Sequence, residues 1–133
     1  MNQLKTPLLD EVRAAFITRR VAMNVASRSA ACMPSLVRAY GCRVSADRRR
    51  VTVFVPVPRS TAVLEDLRAG GAIAVVFTLP RSHETLQLKG IKADIVPLQV
   101  GDSASVAAYV QSFIEEINGI GYSMEFARAG IRR

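Results

Sequence analysis

The stretch VAMNVASRSAACMPSLVRAYGCRVSADRRRVTVFVP, residues 21–56, decides the fold because it holds three segments of strand character separated by two turns. β-Branched and apolar residues mark the three segments, whereas small, polar or proline residues mark the breaks between them. Strands that follow each other through short connections pair antiparallel. The strands are predicted at 21–27, 35–45 and 50–56, and the turns at 28–34 and 46–49.

The rest of the chain adds two strands and at least three helices to this core. Apolar residues at helical spacing predict the helices, and near-continuous or alternating apolar residues predict the strands. Thr6 and Ser60 are expected to cap the first two helices, and Gly70 is expected to end the second. The helices are predicted at 7–16, 60–69, 103–118 and 122–129, and the strands at 72–78 and 85–95.

Length and element order predict one domain over residues 1–133. Half of the 133 residues are hydrophobic, so a chain of this size can bury a substantial core. Five short strands, with a helix between the third and fourth and another at the end, favour a mainly β fold. The expected architecture is a small antiparallel β-barrel with flanking helices, closed or half open.

The charge pattern argues against a nucleic-acid surface. The formal net charge is +7, and the whole excess lies in residues 1–50, which hold ten basic and three acidic side chains. No aromatic residues for base stacking are interleaved with the arginine clusters 19–20 and 48–50. We interpret these clusters as solvated loop charge and expect no nucleic-acid partner.

The sequence also predicts a cytoplasmic protein without a membrane segment or a metal site. No apolar run approaches the roughly 20 residues that a membrane-spanning helix needs. Two cysteines and one histidine are too few for a zinc site. Cys32 in a turn and Cys42 in the next strand are too far apart for a disulfide, and free thiols are typical of a reducing compartment.

A search for catalytic side chains finds no candidate acid, base or nucleophile. His83 is the only histidine and is expected in a surface turn, so little material is present for a serine-type triad or a multi-histidine metal site. The informative residue is Arg38, which alternation places on one face with Leu36, Tyr40, Cys42 and Val44. Either this guanidinium extends to the barrel rim, or it binds a carboxylate or phosphate.

The order of these elements resembles the pyridoxamine phosphate oxidase-like family of FMN-binding split β-barrels. The resemblance covers residues 15–95. It includes Ala-Ser-Arg at 26–28, Pro-Ser-x-x-Arg at 34–38, the helix that leads to the strand ending near Phe77, and ETLQLKG at 84–90. It implies a homodimeric flavoprotein with FMN at the dimer interface, and an oxidoreductase reaction on a small molecule.

The resemblance also implies a set of cofactor-binding residues. Arg38 would contact the phosphate or ribityl chain, and residues 59–61 would offer the start of a helix to the phosphate. Residues of the second and third strands would flank the flavin, and polar residues of the fifth strand could reach its edge. The implied set is Arg38, Ala39, Tyr40, Gly41, Cys42, Val55, Pro56, Arg59, Ser60, Thr61, Thr85 and Gln87.

Two departures from the family pattern keep other functions open. The Ser-Arg-Lys that the family carries at this helix start is replaced by Arg59-Ser60-Thr61-Ala62, and Glu84-Thr85 replaces Arg-Gln. A carboxylate near a phosphate opposes binding by like charge. One alternative is therefore a barrel that has lost the cofactor and binds haem, a nucleotide or a protein partner. Another is a related reductase that uses a deazaflavin or another bulky cofactor in the same groove.

Overall fold

A computed structural model describes residues 9–19 and 21–119 of the chain. These residues form six strands, three α-helices and one turn of 3₁₀ helix, with roughly equal numbers of residues in helix and strand. The α-helices are α1 (Glu11–Ile17), α2 (Thr61–Arg68) and α3 (Asp102–Gly119). The strands are β1 (Ala22–Arg28), β2 (Pro34–Ala39), β3 (Cys42–Val44), β4 (Val51–Val53), β5 (Ile73–Thr78) and β6 (Thr85–Gly90).

All pairs of neighbouring strands are antiparallel. A four-stranded sheet has the order β2-β1-β5-β6, and β3 pairs with β4 in a two-stranded sheet. The two sheets are linked through Tyr40 and Gly41, because the Tyr40 amide donates to the Phe54 carbonyl at 2.8 Å and the Phe54 amide donates to the Gly41 carbonyl at 2.9 Å. The expected antiparallel sheets and flanking helices are confirmed.

The second predicted strand is broken at Gly41, and this break changes which residues share a face. Gly41 has a φ of +130°, a backbone angle that only glycine adopts readily. Arg38 and Tyr40 lie on one face of β2, whereas Cys42 and Val44 pack against the main core. The prediction that Cys42 and Val44 share a face with Leu36, Arg38 and Tyr40 is therefore wrong, because strict alternation holds only within an unbroken strand.

The core lies against one face of the four-stranded sheet, which we call the inner face. This face presents Met23, Val25, Val37, Val75 and Phe77, all buried. Helix α2 packs its buried stripe against them, and the β3–β4 hairpin and α1 complete the enclosure. The opposite face, which we call the outer face, therefore carries the alternate residues of each strand.

Helix α3 crosses one end of the outer face. Its first residue, Asp102, forms an ion pair of 3.4 Å with Arg43 on β3. Near its other end, buried Glu116 accepts a hydrogen bond of 3.2 Å from Arg81 in the β5–β6 turn. Phe113 and Ile114 form a second apolar cluster between the helix and the sheet. Of the apolar residues at helical spacing that predict this helix, Phe113 and Ile114 are buried, whereas Val106, Val110 and Ile117 are half-buried.

The first predicted helix begins later than expected. Asp10 has extended backbone angles and its carboxylate accepts a 2.7 Å hydrogen bond from the Arg13 amide, so it caps α1 at Glu11. The helix therefore does not include residues 9 and 10, and its predicted start at residue 7 and cap at Thr6 lie outside the described residues. The predicted helix at 122–129 also lies outside them.

The last predicted strand ends at Gly90 rather than at residue 95. Gly90 pairs with Ile73, which is the first residue of β5. Beyond that pair β6 has no hydrogen-bonded neighbour in the described sheet, and a strand needs such a neighbour. Ser60 is the N-cap residue of α2 as predicted, but its hydroxyl donates to the Pro56 carbonyl at 2.5 Å instead of capping the helix.

None of the helices in the described part of the chain is long and apolar enough to cross a membrane.

Candidate functional site

Arg38 lies near the end of β2 on the outer face, beneath α3. Its guanidinium carbon is 5.6 Å from the centre of the Phe113 ring, a distance at which a cation is attracted to an aromatic face. The side chain is half-buried, so it combines a fixed charge with partial access to solvent. Across the sheet, Arg38 pairs with Asn24.

Tyr40 and Gly41 bring the chain from the sheet to the β3–β4 hairpin beside α3. Tyr40 packs on the cluster of Phe113 and Ile114. A Cβ atom on Gly41 would lie 3.3 Å from the Phe54 ring and 3.5 Å from the Cβ of Tyr109. The absence of a side chain at Gly41 therefore permits the close approach of α3 to the bend.

Tyr109 is the α3 residue that lies between Gly41 and the Phe113 ring against which Arg38 and Tyr40 pack. Its ring stacks on Phe113 at a centroid distance of 5.8 Å, and its hydroxyl donates to the Val21 carbonyl at 2.5 Å. Burial raises the pKa of Tyr109, and the positive charge of Arg38 acts in the opposite direction. Arg38 is therefore close enough for its charge to act on this phenol.

A cavity of about 600 Å³ lies between this bend, the end of α1 and the flank of α3. Met23, Leu79 and Ala108 contribute apolar surface. Polar groups come from side chains of two segments, the end of α1 and helix α3: Thr18, Arg19, Ser105, Tyr109, Ser112 and Glu116. Gly41 and Cys42, both predicted cofactor contacts, line the same cavity. Small-molecule sites in proteins are about 300–1,000 Å³ and combine apolar walls with a few polar groups, as this cavity does.

Four of the twelve predicted cofactor residues thus lie together: Arg38, Tyr40, Gly41 and Cys42. Sequence reasoning did not assign Tyr109 or Arg19 to the site. The signal for Tyr109 is present, since it precedes Phe113 by four residues and therefore lies on the same face of α3. The sequence pattern predicts only solvated loop charge at Arg19.

A second group of predicted residues lies away from this cluster. The Ala39 side chain is fully buried on the inner face, so only its backbone could contact a ligand. Val55 packs against the main core. Pro56 precedes the 3₁₀ turn Val57–Arg59, in which Arg59 is exposed. Ser60 is fully buried and its hydroxyl is bonded to Pro56, whereas Thr61 is exposed.

The structure therefore separates the two predicted phosphate-binding groups. Arg38 is on the outer face of the sheet, and α2, which residues 59–61 lead into and begin, packs on the inner face. A single chain presents these groups on opposite sides of β2.

Thr85 and Gln87 are exposed on the outer face of β6. The register aligns Arg38, Asn24, Val76 and Gln87 in one row across the four strands. Three strand spacings separate the backbones of Arg38 and Gln87, roughly 14 Å. These two residues share a face but lie at opposite edges of the sheet.

Replacing Gly41 with alanine is expected to lower the free energy of unfolding by about 1–3 kcal/mol. The new methyl group would meet Phe54 and Tyr109 on a backbone with a φ of +130°. Gly70→Ala is the matched control, because Gly70 has a φ of +87° but open space around it, so it should lose less. Urea denaturation measures both, and equal losses would show that the close approach at Gly41 is unimportant.

The two cysteines are expected to differ in reactivity. Cys32 is exposed, whereas Cys42 is half-buried with its thiol 3.3 Å from the Ile17 carbonyl. Burial raises the pKa of the Cys42 thiol to about 12. At pH 8 only about one Cys42 in ten thousand is then the reactive thiolate. Iodoacetamide should therefore label Cys32 and leave Cys42, as mass spectrometry can measure, and equal labelling of the native protein would contradict this.

The same pKa shift predicts that stability falls in alkaline solution. Because the folded pKa of Cys42 is above its unfolded value of 9.0, the stabilising contribution of the neutral thiol is complete below about pH 9. It is lost as the pH rises from 9 towards 12. Urea denaturation between pH 8 and 11 should show this fall, and Cys42→Ala should reduce its slope. An unchanged slope in the variant would exclude Cys42 as a cause.

Comparison of the chain with protein-family models, with curated proteins and with solved structures finds no match.

Proposed function

We propose that this protein is an FMN-binding flavoprotein, an oxidoreductase of the pyridoxamine phosphate oxidase-like type that acts on a small molecule. The observation that carries the proposal is the convergence of Arg38, Tyr40, Gly41 and Cys42 on Tyr109. The resemblance to the FMN-binding family had already implied these four residues as cofactor contacts. Gly41 and Cys42 line the cavity, and Arg38 and Tyr40 contact the part of α3 that carries Phe113, which stacks on Tyr109. This arrangement supports one binding region rather than scattered surface residues.

The residues around the cavity fit the chemistry of FMN. The cofactor carries a phosphate, a chain of hydroxyl groups and a flat aromatic ring. Arg19 in the cavity lining and Arg38 beside Phe113 offer positive charge, and Thr18, Ser105 and Ser112 offer hydroxyl groups. Gly41 and Cys42 contribute one wall of the cavity, and Met23, Leu79 and Ala108 add apolar surface for the ring. The cavity volume of about 600 Å³ suits a ligand of this class.

The bound cofactor would supply the redox chemistry by accepting or donating hydride at its ring. The chain would bind the phosphate, orient the ring and restrict water. Because the cofactor carries the reacting atoms, this division of roles needs no protein acid or base. It agrees with the lack of a sequence-predicted catalytic side chain.

A split barrel and a homodimer complete the proposal. The bend at Gly41 links the two sheets around a common core, which supports the barrel architecture. A second chain beside the outer face would let Arg38 of one subunit and residues 59–61 of the other serve one cofactor, although one chain presents them on opposite sides. Light scattering should report a dimer at micromolar concentration, and a stable monomer would contradict this part.

Two free thiols support a cytoplasmic location.

Thermal unfolding with and without cofactor tests the proposal. FMN at a hundredfold excess over its dissociation constant should stabilise the protein by about 2.7 kcal/mol. Riboflavin, which lacks the phosphate, should stabilise it less at the same concentration because it offers no phosphate to Arg38 and Arg19. Absence of any shift with FMN would contradict flavin binding, and equal shifts with both compounds would contradict a phosphate anchor.

A further inference from the structure

A trough of about 410 Å³ lies on the outer face at the end of the sheet opposite α3. This end is formed by the last residues of β1 and β6 and the first residues of β5. The residues that shape the trough are Ala26, Arg28, Ala72, Ala74, Lys89 and Ile91. None of them belongs to the proposed flavin site.

The register explains why a depression forms here. Ala74 pairs with Ala26 on one side and Lys89 on the other, so these residues form one transverse row. Ala72 precedes β5 in the position next to Arg28. The adjacent row towards α3 carries larger side chains, including Val76 and Gln87. Alanine in place of such residues lets a ligand approach the sheet backbone closely.

Two cations flank this floor. Arg28 is on β1 and Lys89 on β6, with β5 between them, so about 10 Å separates the two strands. Both side chains are exposed. The ion pairs found among the described residues are formed by other arginines, namely Arg13, Arg43 and Arg81. The carboxylate of Asp66 is held on the other side of the sheet, because it accepts a 2.7 Å hydrogen bond from Ser27, whose side chain is on the inner face. The mouth of the trough is therefore positively charged.

Apolar surface at the same place is exposed to solvent. Ile91 at the rim is 90% exposed, and Leu36, which pairs with Ala26 on the next strand, is 68% exposed. Burial of such surface against a ligand is favourable by roughly 25 cal/mol per Å². A ligand that matches both features needs an apolar body and an anionic group.

We propose that this trough binds a small organic anion with a flat or narrow apolar body and a single carboxylate, sulfonate or phosphate group. The apolar body lies on the alanine floor against Ile91, and the anionic group lies between Arg28 and Lys89. This inference does not depend on FMN binding, because the trough is at the end of the sheet away from Gly41 and Tyr109.

A matched pair of fluorescent probes tests the site. 1-Anilinonaphthalene-8-sulfonate has an aromatic body with one anionic group, and N-phenyl-1-naphthylamine is the same body without the charge. The chain has no tryptophan, so neither probe competes with indole emission. Arg28→Gln and Lys89→Gln should each weaken binding of the sulfonate about three- to tenfold and leave binding of the neutral probe unchanged.

Arg50→Gln is the control, because it removes an exposed arginine on the β3–β4 hairpin, and it should bind both probes as the parent does. Ala74→Leu should fill the floor and weaken both probes. Circular dichroism checks that each variant is folded. Parent-like sulfonate binding in Arg28→Gln and Lys89→Gln would overturn the proposal. Competitive displacement of the sulfonate by FMN would also overturn it, since the two sites would then be one.

Discussion

Phe77→Ala is expected to lower the free energy of unfolding by about 3–5 kcal/mol, because it opens a cavity in the centre of the core. Phe77 is fully buried and is among the largest side chains with no exposure. It lies on β5, which is bonded to β1 on one side and β6 on the other, so a cavity there cannot close by moving an edge strand. Urea denaturation measures the loss.

Leu98→Ala is the control for Phe77→Ala. Leu98 is 65% exposed, so its truncation should change the free energy of unfolding by no more than about 0.5 kcal/mol. A loss below about 1.5 kcal/mol for Phe77→Ala would mean that the inner face is loosely packed. Such a result would contradict the position of the core between the sheet and α2.

Arg38→Ala is expected to weaken FMN binding by about 1.5–3 kcal/mol, or roughly ten- to more than a hundredfold. A half-buried guanidinium beside Phe113 and Tyr109 would bind the phosphate by charge-assisted hydrogen bonds. The stability of the protein without FMN should change much less. Quenching of FMN fluorescence measures the affinity, and parent-like affinity would remove Arg38 from the site.

Two further variants define what the loss at Arg38 means. Arg50→Ala removes an equal charge far from the proposed site and should bind FMN as the parent does. Arg59→Ala tests the other predicted anchor, at the turn that leads into α2. A large loss for Arg59→Ala and none for Arg38→Ala would place the phosphate at α2. Losses for both would favour a cofactor bound between two subunits.

Local sequence patterns predict most of the elements but not how the chain bends between them. Alternation correctly separates Thr85, Gln87 and Lys89 from the half-buried leucines of β6. It fails across Gly41, where a left-handed backbone angle turns the following residues towards the core. A glycine within an apolar strand is compatible with a bend or with a straight strand. At Gly41 the choice depends on the backbone hydrogen bond that its carbonyl accepts from Phe54, a contact that the local sequence does not reveal.

Tertiary contacts also explain the errors at element ends. β6 stops at Gly90 because its partner strand β5 begins at Ile73. Residues 91–95 alone do not reveal where that partner strand begins. The candidate site has the same limit. Its β2–β3 half could be predicted from one stretch of sequence, but the contribution of α3 depends on how a helix more than 50 residues later crosses the sheet.

Direct titration of FMN with the purified protein tests the central claim. FMN fluorescence should change in a saturable way and reach its endpoint at one cofactor per chain, because each chain supplies one cluster of Arg38, Gly41 and Tyr109. Riboflavin should bind more weakly in the same titration, because it offers no phosphate to Arg38. If FMN fluorescence is the same with and without excess protein, this protein is not a flavoprotein.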